Sequence, residues 1–240
     1  MNLIIDIGNT LVKLAVFEQD RMIDFKIEEE INDEKINQFI SNHTLKKVII
    51  SSVRDNEEYE VLKKYNLLTL SHTTPLPLKN CYQTPQTLGL DRLAAVVASA
   101  IQFPDNDVLT IDMGTCITFD FLSAKKEYLG GSISPGFEMR FKALHHFTGK
   151  LPLIEYKKNQ NNIIGDSTVS SIISGVYNGV KNETEGAIQQ YITEYPNLKI
   201  VVTGGDEKRF DLEPKNRIFA DEFLVLKGLN EILNYNDKIE

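Results

Sequence analysis

The sequence predicts an α/β protein made of two similar halves that face each other across a central cleft. An apolar strand runs into Asp6 and a glycine turn, and the same pattern returns at Asp112. Residues 3–17 (LIIDIGNTLVKLAVF) align with residues 109–122 (LTIDMGTCITFDFL), and each copy has the pattern strand, turn, strand. A repeated supersecondary unit indicates a duplicated architecture, and strands alternate with helical periodicity in both halves.

The first half begins with strands predicted over 2–8, 11–17 and 21–27, because Val, Ile, Leu and Phe dominate these segments and polar turn residues separate them. The apolar run 46–52 (KKVIISS) is typical of a strand that is buried on both faces. Periodicity predicts the remaining elements of this half, which are a helix over 32–43, a short helix over 56–65 and a strand over 67–70.

A polar segment over 72–87, which contains Pro75, Pro77 and Pro85, predicts a loop that crosses between the halves. An amphipathic helix follows, with Asp91 and Arg92 in its first turn. The meander then repeats, and the predicted elements are strands over 107–113, 116–122 and 127–133, a helix over 137–147, a long helix from 166 towards 195, a strand over 198–203 and a last helix over 221–234.

The composition excludes several classes of partner. A net charge of −8 and a pI near 5.2 argue against nucleic acid and anionic membranes, which both require a basic face. The sequence has neither a signal-peptide pattern nor an apolar run approaching the ~18 residues of a membrane span, so we expect a cytoplasmic protein. The two cysteines, Cys81 and Cys116, have no metal-site spacing and are expected to be reduced thiols.

The two glycine turns are candidate phosphate-binding elements. Gly8 at the first central position of a two-residue loop predicts a type II′ turn with positive φ, whose N–H groups can face an anion. Asp6 and Asp112 end their strands just before these turns, where a carboxylate can hold a cation that bridges phosphate oxygens. The alternative interpretation of each aspartate is a stabiliser of an Asx-type turn.

A second group of candidates is the run Gly89-Leu90-Asp91-Arg92 at the start of the predicted helix. The helix dipole alone favours an Asp in the first turn, but it disfavours an Arg there. Another reason for an Arg at this place is needed, and a carboxylate-bearing substrate held by a bidentate contact is one such reason. Lys13 is placed to reach a β- or γ-phosphate, or else is a solvated strand charge. Neither a Walker A loop nor GxGxxG is present.

These motifs together resemble the type III pantothenate kinases of the acetate and sugar kinase, chaperone and actin superfamily. The matching segments are DIGNTLVK at 6–13, GLDR at 89–92, DMGTCIT at 112–118, GGSISPG at 130–136 and Thr168 in DSTVSSIISG. The resemblance implies two duplicated ribonuclease H-like halves, each with a mixed five-stranded sheet and flanking helices. We place the N-terminal ATPase-like half at 1–80 and the C-terminal one at 81–240.

The implied activity is ATP-dependent phosphorylation of pantothenate to 4′-phosphopantothenate, the first step of coenzyme A biosynthesis. The resemblance assigns the base to Asp91 and a monovalent cation, K⁺ or NH₄⁺, to Asp112, with Mg²⁺ accompanying ATP. It also implies a homodimer with the acceptor site near the subunit interface. The implied ATP-binding residues are Asp6, Ile7, Gly8, Asn9, Thr10, Leu11, Val12, Lys13 and Thr115. The implied pantothenate-binding residues are Tyr82, Gly89, Leu90, Asp91, Arg92 and Thr168.

Two alternatives remain at the level of sequence. One is a kinase of another small hydroxy acid or a sugar, or a phosphatase of the same superfamily, in which Asp91 acts on a different hydroxyl. The other is a non-catalytic regulatory relative, which would have no need of Asp91 and Arg92 together.

The chain departs from the family pattern at Cys116, where alanine commonly ends the second motif. This change is compatible with the expected backbone turn.

Overall fold

The computed structural model describes residues 1–54, 58–157 and 162–239. Its helices and strands are, in chain order, β1 (Asn2–Ile7), β2 (Val12–Glu18), β3 (Arg21–Glu28), α1 (Asp33–Ile40), β4 (Lys47–Ser52), β5 (Asn66–Thr69), β6 (Lys79–Asn80), α2 (Leu90–Gln102), β7 (Val108–Met113), β8 (Cys116–Leu122), β9 (Glu127–Pro135), α3 (Phe137–His146), α4 (Thr168–Glu194), β10 (Lys199–Thr203), β11 (Ile218–Ala220) and α5 (Leu224–Ile239). None of these helices combines the length and apolarity that crossing a membrane requires.

The chain packs as two compact units. The first contains Met1–Pro104, Lys126–Tyr128 and Phe223–Glu240, and the second contains Asp105–Lys125 and Leu129–Glu222. The units follow packing rather than chain order, because α2 and the C-terminal helix α5 pack on each other and on the first sheet. The predicted halves 1–80 and 81–240, and the cleft expected between them, stay predictions.

The first unit is built on a five-stranded sheet with the order β3-β2-β1-β4-β5. β1 is antiparallel to β2 and parallel to β4, so this sheet is mixed, as predicted. Leu3, Ile4, Ile5 and Ile7 are fully buried, which is expected of a central strand covered on both faces. The sheet therefore fixes the end of β1, where Asp6 lies, as a rigid position.

The second unit is built on strands in the order β11-β10-β7-β8-β9, and α3 and α4 pack with their aromatic residues against it. β6 adds a sixth strand by pairing in parallel with Glu127 and Tyr128, the two residues of β9 that belong to the first unit. The five strands predicted for each sheet are thus correct for the first sheet, and the second sheet has one more.

Three local predictions need correction. The segment 72–87 is not entirely loop, since it contains β6 and a 3₁₀ turn at Pro85–Thr87. The helix predicted over 56–65 lies partly outside the described residues, and its described part forms only a 3₁₀ turn at Glu60–Leu62. Leu62 is the one fully buried side chain in the described part of this segment, and Tyr59, Val61 and Tyr65 pack partly buried against the same core. β11 was not predicted, because three residues are too few to show periodicity.

Candidate active site

The first element of the site is the turn between β1 and β2. The Gly8 N–H donates a hydrogen bond to the Leu11 carbonyl oxygen at 3.0 Å, which leaves Asn9 and Thr10 as an exposed two-residue loop. Gly8 precedes this loop and has no positive φ. The predicted type II′ turn is therefore wrong, because strand pairing continues one residue beyond Ile7 and moves the loop forward. A Cβ at Gly8 would lie 3.1 Å from the Leu11 oxygen, so the turn is tightly closed.

Asp6 lies in a row of three polar residues across the first sheet. It pairs with Lys13 on β2 and with Ser51 on β4, and paired residues project from the same face of a sheet. Burial raises the pKa of Asp6 to about 6; the Lys13 ammonium opposes this rise, and the negative charge of Asp91 adds to it. Asp6, Lys13 and Asp91 thus share one electrostatic environment within the first unit.

The carboxylate of Asp91 folds back over the start of α2. Its Oδ1 accepts a hydrogen bond from the Arg92 N–H at 2.8 Å, which places a negative charge at the positive end of the helix dipole. A Cβ on Gly89 would collide with this Oδ1, so the glycine provides the space that the carboxylate occupies. Arg92 is only 7% exposed, and its charge is largely desolvated.

Tyr82 is held in the first unit by β6 and the first residues of β9. Its N–H donates to Asn80 Oδ1 at 3.0 Å, and its ring stacks on Tyr128 with 6.1 Å between the ring centroids. The neighbouring Cys81 N–H donates to the Tyr128 carbonyl oxygen at 2.9 Å. The ring of Tyr82 is partly exposed, so an ordered aromatic surface is available in this unit.

The turn between β7 and β8 is the counterpart of the first turn, but it is one residue shorter. The Gly114 N–H donates to the Cys116 carbonyl oxygen at 3.0 Å, so only Thr115 lies between the paired residues. Gly136 packs directly on this turn, since its N–H donates to the Thr115 carbonyl oxygen at 3.1 Å and a Cβ would overlap the backbone. Gly204, with φ of 98°, packs against Met113 in the same manner.

Asp112 lies in a row that corresponds to that of Asp6. It pairs with Thr118 on β8 and with Thr203 on β10, so hydroxyl groups flank it where Lys13 and Ser51 flank Asp6. The Thr118 Oγ1 is buried and has no hydrogen-bond partner among the described residues. A buried hydroxyl of this kind costs free energy unless a ligand completes it.

Thr168 is the first residue of the long helix α4 in the second unit. Ser167 caps this helix, with its hydroxyl accepting from the Ser170 N–H and the Ser170 hydroxyl accepting in return. Thr168 is exposed and borders an apolar groove of about 930 Å³ between α3 and α4, whose lining includes Leu144, Phe147 and Ile172.

The structure thus gathers Asp6, Lys13 and Asp91 in one place of the first unit, and it gathers Asp112 and Thr115 at one hairpin of the second. Sequence reasoning missed Ser51, Thr118 and Gly136 as neighbours of these groups. The missing signal is strand register, which only the pairing of the sheets supplies. The described residues contain no group of three or more His, Cys, Asp or Glu side chains able to hold a metal.

Comparison with known proteins agrees with these motifs. The model of the family described as type III pantothenate kinase matches residues 2–190. A type III pantothenate kinase of Phocaeicola vulgatus is 48% identical over 243 residues, covering 100% of both chains. A type III pantothenate kinase of Bacteroides fragilis is 46% identical and covers 99% of both chains.

Solved structures share the fold. A Campylobacter jejuni protein assigned to the Baf family of transcriptional activators has a TM-score of 0.58 at 24% identity, covering 98% of this chain and 99% of that one. A ROK family glucokinase from Streptomyces griseus, solved with glucose and AMPPNP, has a TM-score of 0.55 at 13% identity and covers 99% of both chains. These likenesses establish the fold alone, and they confirm the predicted fold class.

Proposed function

This chain belongs to the type III pantothenate kinase family and is an ATP-dependent pantothenate kinase, and we propose here how its residues divide that work. The observation that carries the proposal is the carboxylate of Asp91, held over the start of α2 in the electrostatic environment of Asp6 and Lys13. In this proposal the hairpin at 6–13 binds the phosphates of ATP, and Asp91 receives the proton of the pantothenate hydroxyl.

The division follows from the chemistry of phosphoryl transfer. The transition state is loose, so most of the acceleration comes from aligning donor and acceptor and from neutralising phosphate oxygens. Lys13 supplies a fixed positive charge for a phosphate, and the exposed residues Asn9 and Thr10 are proposed to donate their backbone N–H groups to it. Thr115, at the tip of the second turn, is assigned to ATP as well. Asp91 as base contributes at the level of about 10²- to 10⁴-fold.

The acceptor side is assigned to Gly89 through Arg92, with Tyr82 and Thr168. Arg92 is a desolvated guanidinium, which suits a bidentate contact with the pantothenate carboxylate. A sugar offers no carboxylate for it. The proposed substrate preference is therefore for a hydroxy acid over a neutral sugar.

Mg²⁺ is expected to arrive with ATP. Such ions keep several waters and are bound by one or two carboxylates together with substrate phosphates, so the lack of a dedicated acidic cluster in the described residues fits this ion. Asp6 is the carboxylate proposed to reach it. When bound, Mg²⁺ neutralises phosphate oxygens as charge develops on them.

A monovalent cation, K⁺ or NH₄⁺, is proposed beside Asp112. The donor set fits a weakly charged ion, because one carboxylate lies in a row with the hydroxyl oxygens of Thr118 and Thr203. The Thr118 hydroxyl also lacks a partner in the described structure. The cation would then hold the second hairpin in place and would take no part in proton transfer.

A homodimer is proposed through the apolar surface around α3 and α4. Phe147, Ile163 and Ile164 are each more than 80% exposed, and they lie in the same unit as the groove lined by Leu144 and Ile172. Large apolar side chains exposed to this degree favour an interaction site, and Phe147 also lines the groove. Sedimentation at increasing concentration is expected to show a dimer that a Phe147→Ser variant weakens.

We also propose a cytoplasmic location, where ATP is available and Cys81 and Cys116 remain free thiols.

The test of function is ADP release with ATP and a panel of acceptors that contains pantothenate, other small hydroxy acids and glucose. Pantothenate is expected to give by far the highest kcat/KM. Glucose as the preferred acceptor would indicate a sugar kinase, and ADP release independent of every acceptor, or absent with all of them, would contradict the proposed activity. Formation of 4′-phosphopantothenate, identified by mass spectrometry, is the positive result.

A further inference from the structure

The C-terminal helix α5 touches α2 backbone to backbone. Gly228 of α5 lies against Ala94 of α2 so closely that an added Cβ would overlap the Ala94 carbonyl group. The obstacle is main chain rather than a flexible side chain, so a larger residue at 228 must move one helix away from the other. The contact lies one helical turn after Asp91, and the shift would be transmitted to that residue.

Hydrogen bonds from asparagine side chains fix the position of α5 along the sheet. The Asn2 Nδ2 at the start of β1 donates to Asn230 Oδ1 and to Asn234 Oδ1, both at 2.9 Å. The Asn230 Nδ2 donates to the Gln19 carbonyl oxygen, and the Asn236 Nδ2 donates to the Pro75 carbonyl oxygen. With four hydrogen bonds to three separate segments, α5 is held to the first sheet and cannot easily slide.

These two sets of contacts connect the strand that carries Asp6 with the helix that carries the proposed base, Asp91. β1 carries Asn2 at its start and Asp6 near its end, and α2 carries Asp91 next to the Gly228 contact. A rigid strand and a rigid helix transmit small displacements, and a misplacement of about 1 Å can cost on the order of 10² in rate. The spacing between α5 and α2 therefore sets where Asp91 lies relative to the ATP-binding hairpin.

We propose that α5 is a positioning element for Asp91, with Gly228 as its positioning residue and the asparagine contacts as its anchor to β1. The proposal rests on the proposed role of Asp91 as base. Neither Gly228 nor the asparagines touch the reacting atoms in this scheme. They act by holding α2 close to the sheet, which is why a residue without a side chain is needed at 228.

The test is a double-mutant cycle with Gly228→Ala and Asp91→Asn. Gly228→Ala is expected to lower kcat by about 10- to 100-fold with the KM for ATP nearly unchanged, because the phosphate-binding hairpin is not displaced. In the Asp91→Asn background the same substitution is expected to have less than about twofold effect, since nothing remains to be positioned. Gly186→Ala is the matched control, as this helix glycine faces open space and its variant should keep full activity.

A second variant covers the case in which Gly228→Ala does not fold. Asn234→Ala removes one anchor without adding bulk, and it is expected to lower kcat by about threefold to tenfold, again only when Asp91 is present. Urea titration confirms that each variant is folded under assay conditions. An equal loss in both backgrounds, or full kcat in folded Gly228→Ala and Asn234→Ala, overturns the proposal. Near-normal turnover of Asp91→Asn alone would instead refute the role of Asp91.

Discussion

The turn after β1 and the turn after β7 carry the same motif in different surroundings. In the first, Asn9 and Thr10 are exposed, and Lys13 lies across from Asp6. In the second, only Thr115 remains at the tip, and Gly136 packs on the turn so closely that a side chain would not fit. The first turn exposes two residues at its tip, whereas the second exposes only Thr115 and has the backbone of Gly136 packed against it.

The difference shows that two copies of one backbone motif can have different chemistry, because the residues paired with each aspartate differ. Both aspartates lie at the same place near the end of a strand, paired on either side with polar residues. A Lys lies across from Asp6, where we propose that it binds a phosphate, whereas a Thr hydroxyl lies across from Asp112, where we propose a monovalent cation. The two turns are therefore expected to respond differently to matched substitutions.

The largest expected effect tests whether proton transfer lies outside both turns. Asp91→Asn should lower kcat by about 10²- to 10⁴-fold, because it removes the base while keeping the side-chain shape. ATP binding, measured by calorimetry, should be unchanged. Lys13→Met is the contrasting variant and should weaken ATP binding. Loss of ATP binding in Asp91→Asn, or wild-type turnover, would contradict this separation of roles.

The next effect concerns the charge of Asp6. Its folded pKa of about 6 lies above the unfolded value of 3.8, so the folded state holds the proton more tightly. The unliganded protein should therefore lose up to ~3 kcal/mol of unfolding free energy from this residue as the pH rises from 4 to 6 and beyond. Asp6→Asn should remove that loss and raise stability at pH 8.

Urea titrations at pH 4.5 and pH 8 measure this effect. The control is Asp105→Asn, which likewise removes one negative charge but does so at an exposed loop residue. If the Asp6→Asn variant and the wild type show the same pH dependence, the carboxylate does not carry the raised pKa. Loss of ATP affinity in the same variant, despite its higher stability, would be consistent with a functional reason for this buried charge.

A third comparison substitutes one glycine at each turn. Gly136→Ala should destabilise the protein by about 1–3 kcal/mol, since the new methyl group must push the Gly114–Thr115 backbone aside. Gly8→Ala should cost less stability, because its Cβ would be in tight contact with only one atom, at 3.1 Å. It should instead raise the KM for ATP. Equal unfolding free energies for the two variants would remove the distinction between a turn packed against Gly136 and a turn without such a neighbour.

The smallest effect is expected at Thr118. Thr118→Val keeps the shape and removes the hydroxyl, so the K⁺ concentration needed for half-maximal stabilisation should rise by about 3- to 10-fold. Thermal unfolding in KCl and in NaCl at equal ionic strength measures this rise. Without K⁺ the variant should be at least as stable as the wild type, because the substitution removes a buried hydroxyl that has no partner among the described residues. An unchanged K⁺ response would place the cation elsewhere.

Much of the fold could be predicted from local patterns. The strands around Asp6 and Asp112 appear within one or two residues of their predicted bounds, and a helix begins after Gly89 as predicted, since apolar periodicity and turn residues are local signals. The short elements were missed. β6 and β11 form because a neighbouring strand offers hydrogen bonds, and the sequence of two or three residues does not predict such pairing.

The duplicated motif, the candidate residues Asp6, Asp91 and Asp112, and the family could all be predicted from residue identity and spacing along the chain. Three features needed the folded structure: Lys13 lies across from Asp6, Thr118 lies across from Asp112, and α5 packs back against α2. The reason is physical: register and helix packing are set by contacts between segments far apart in sequence, which no local pattern encodes.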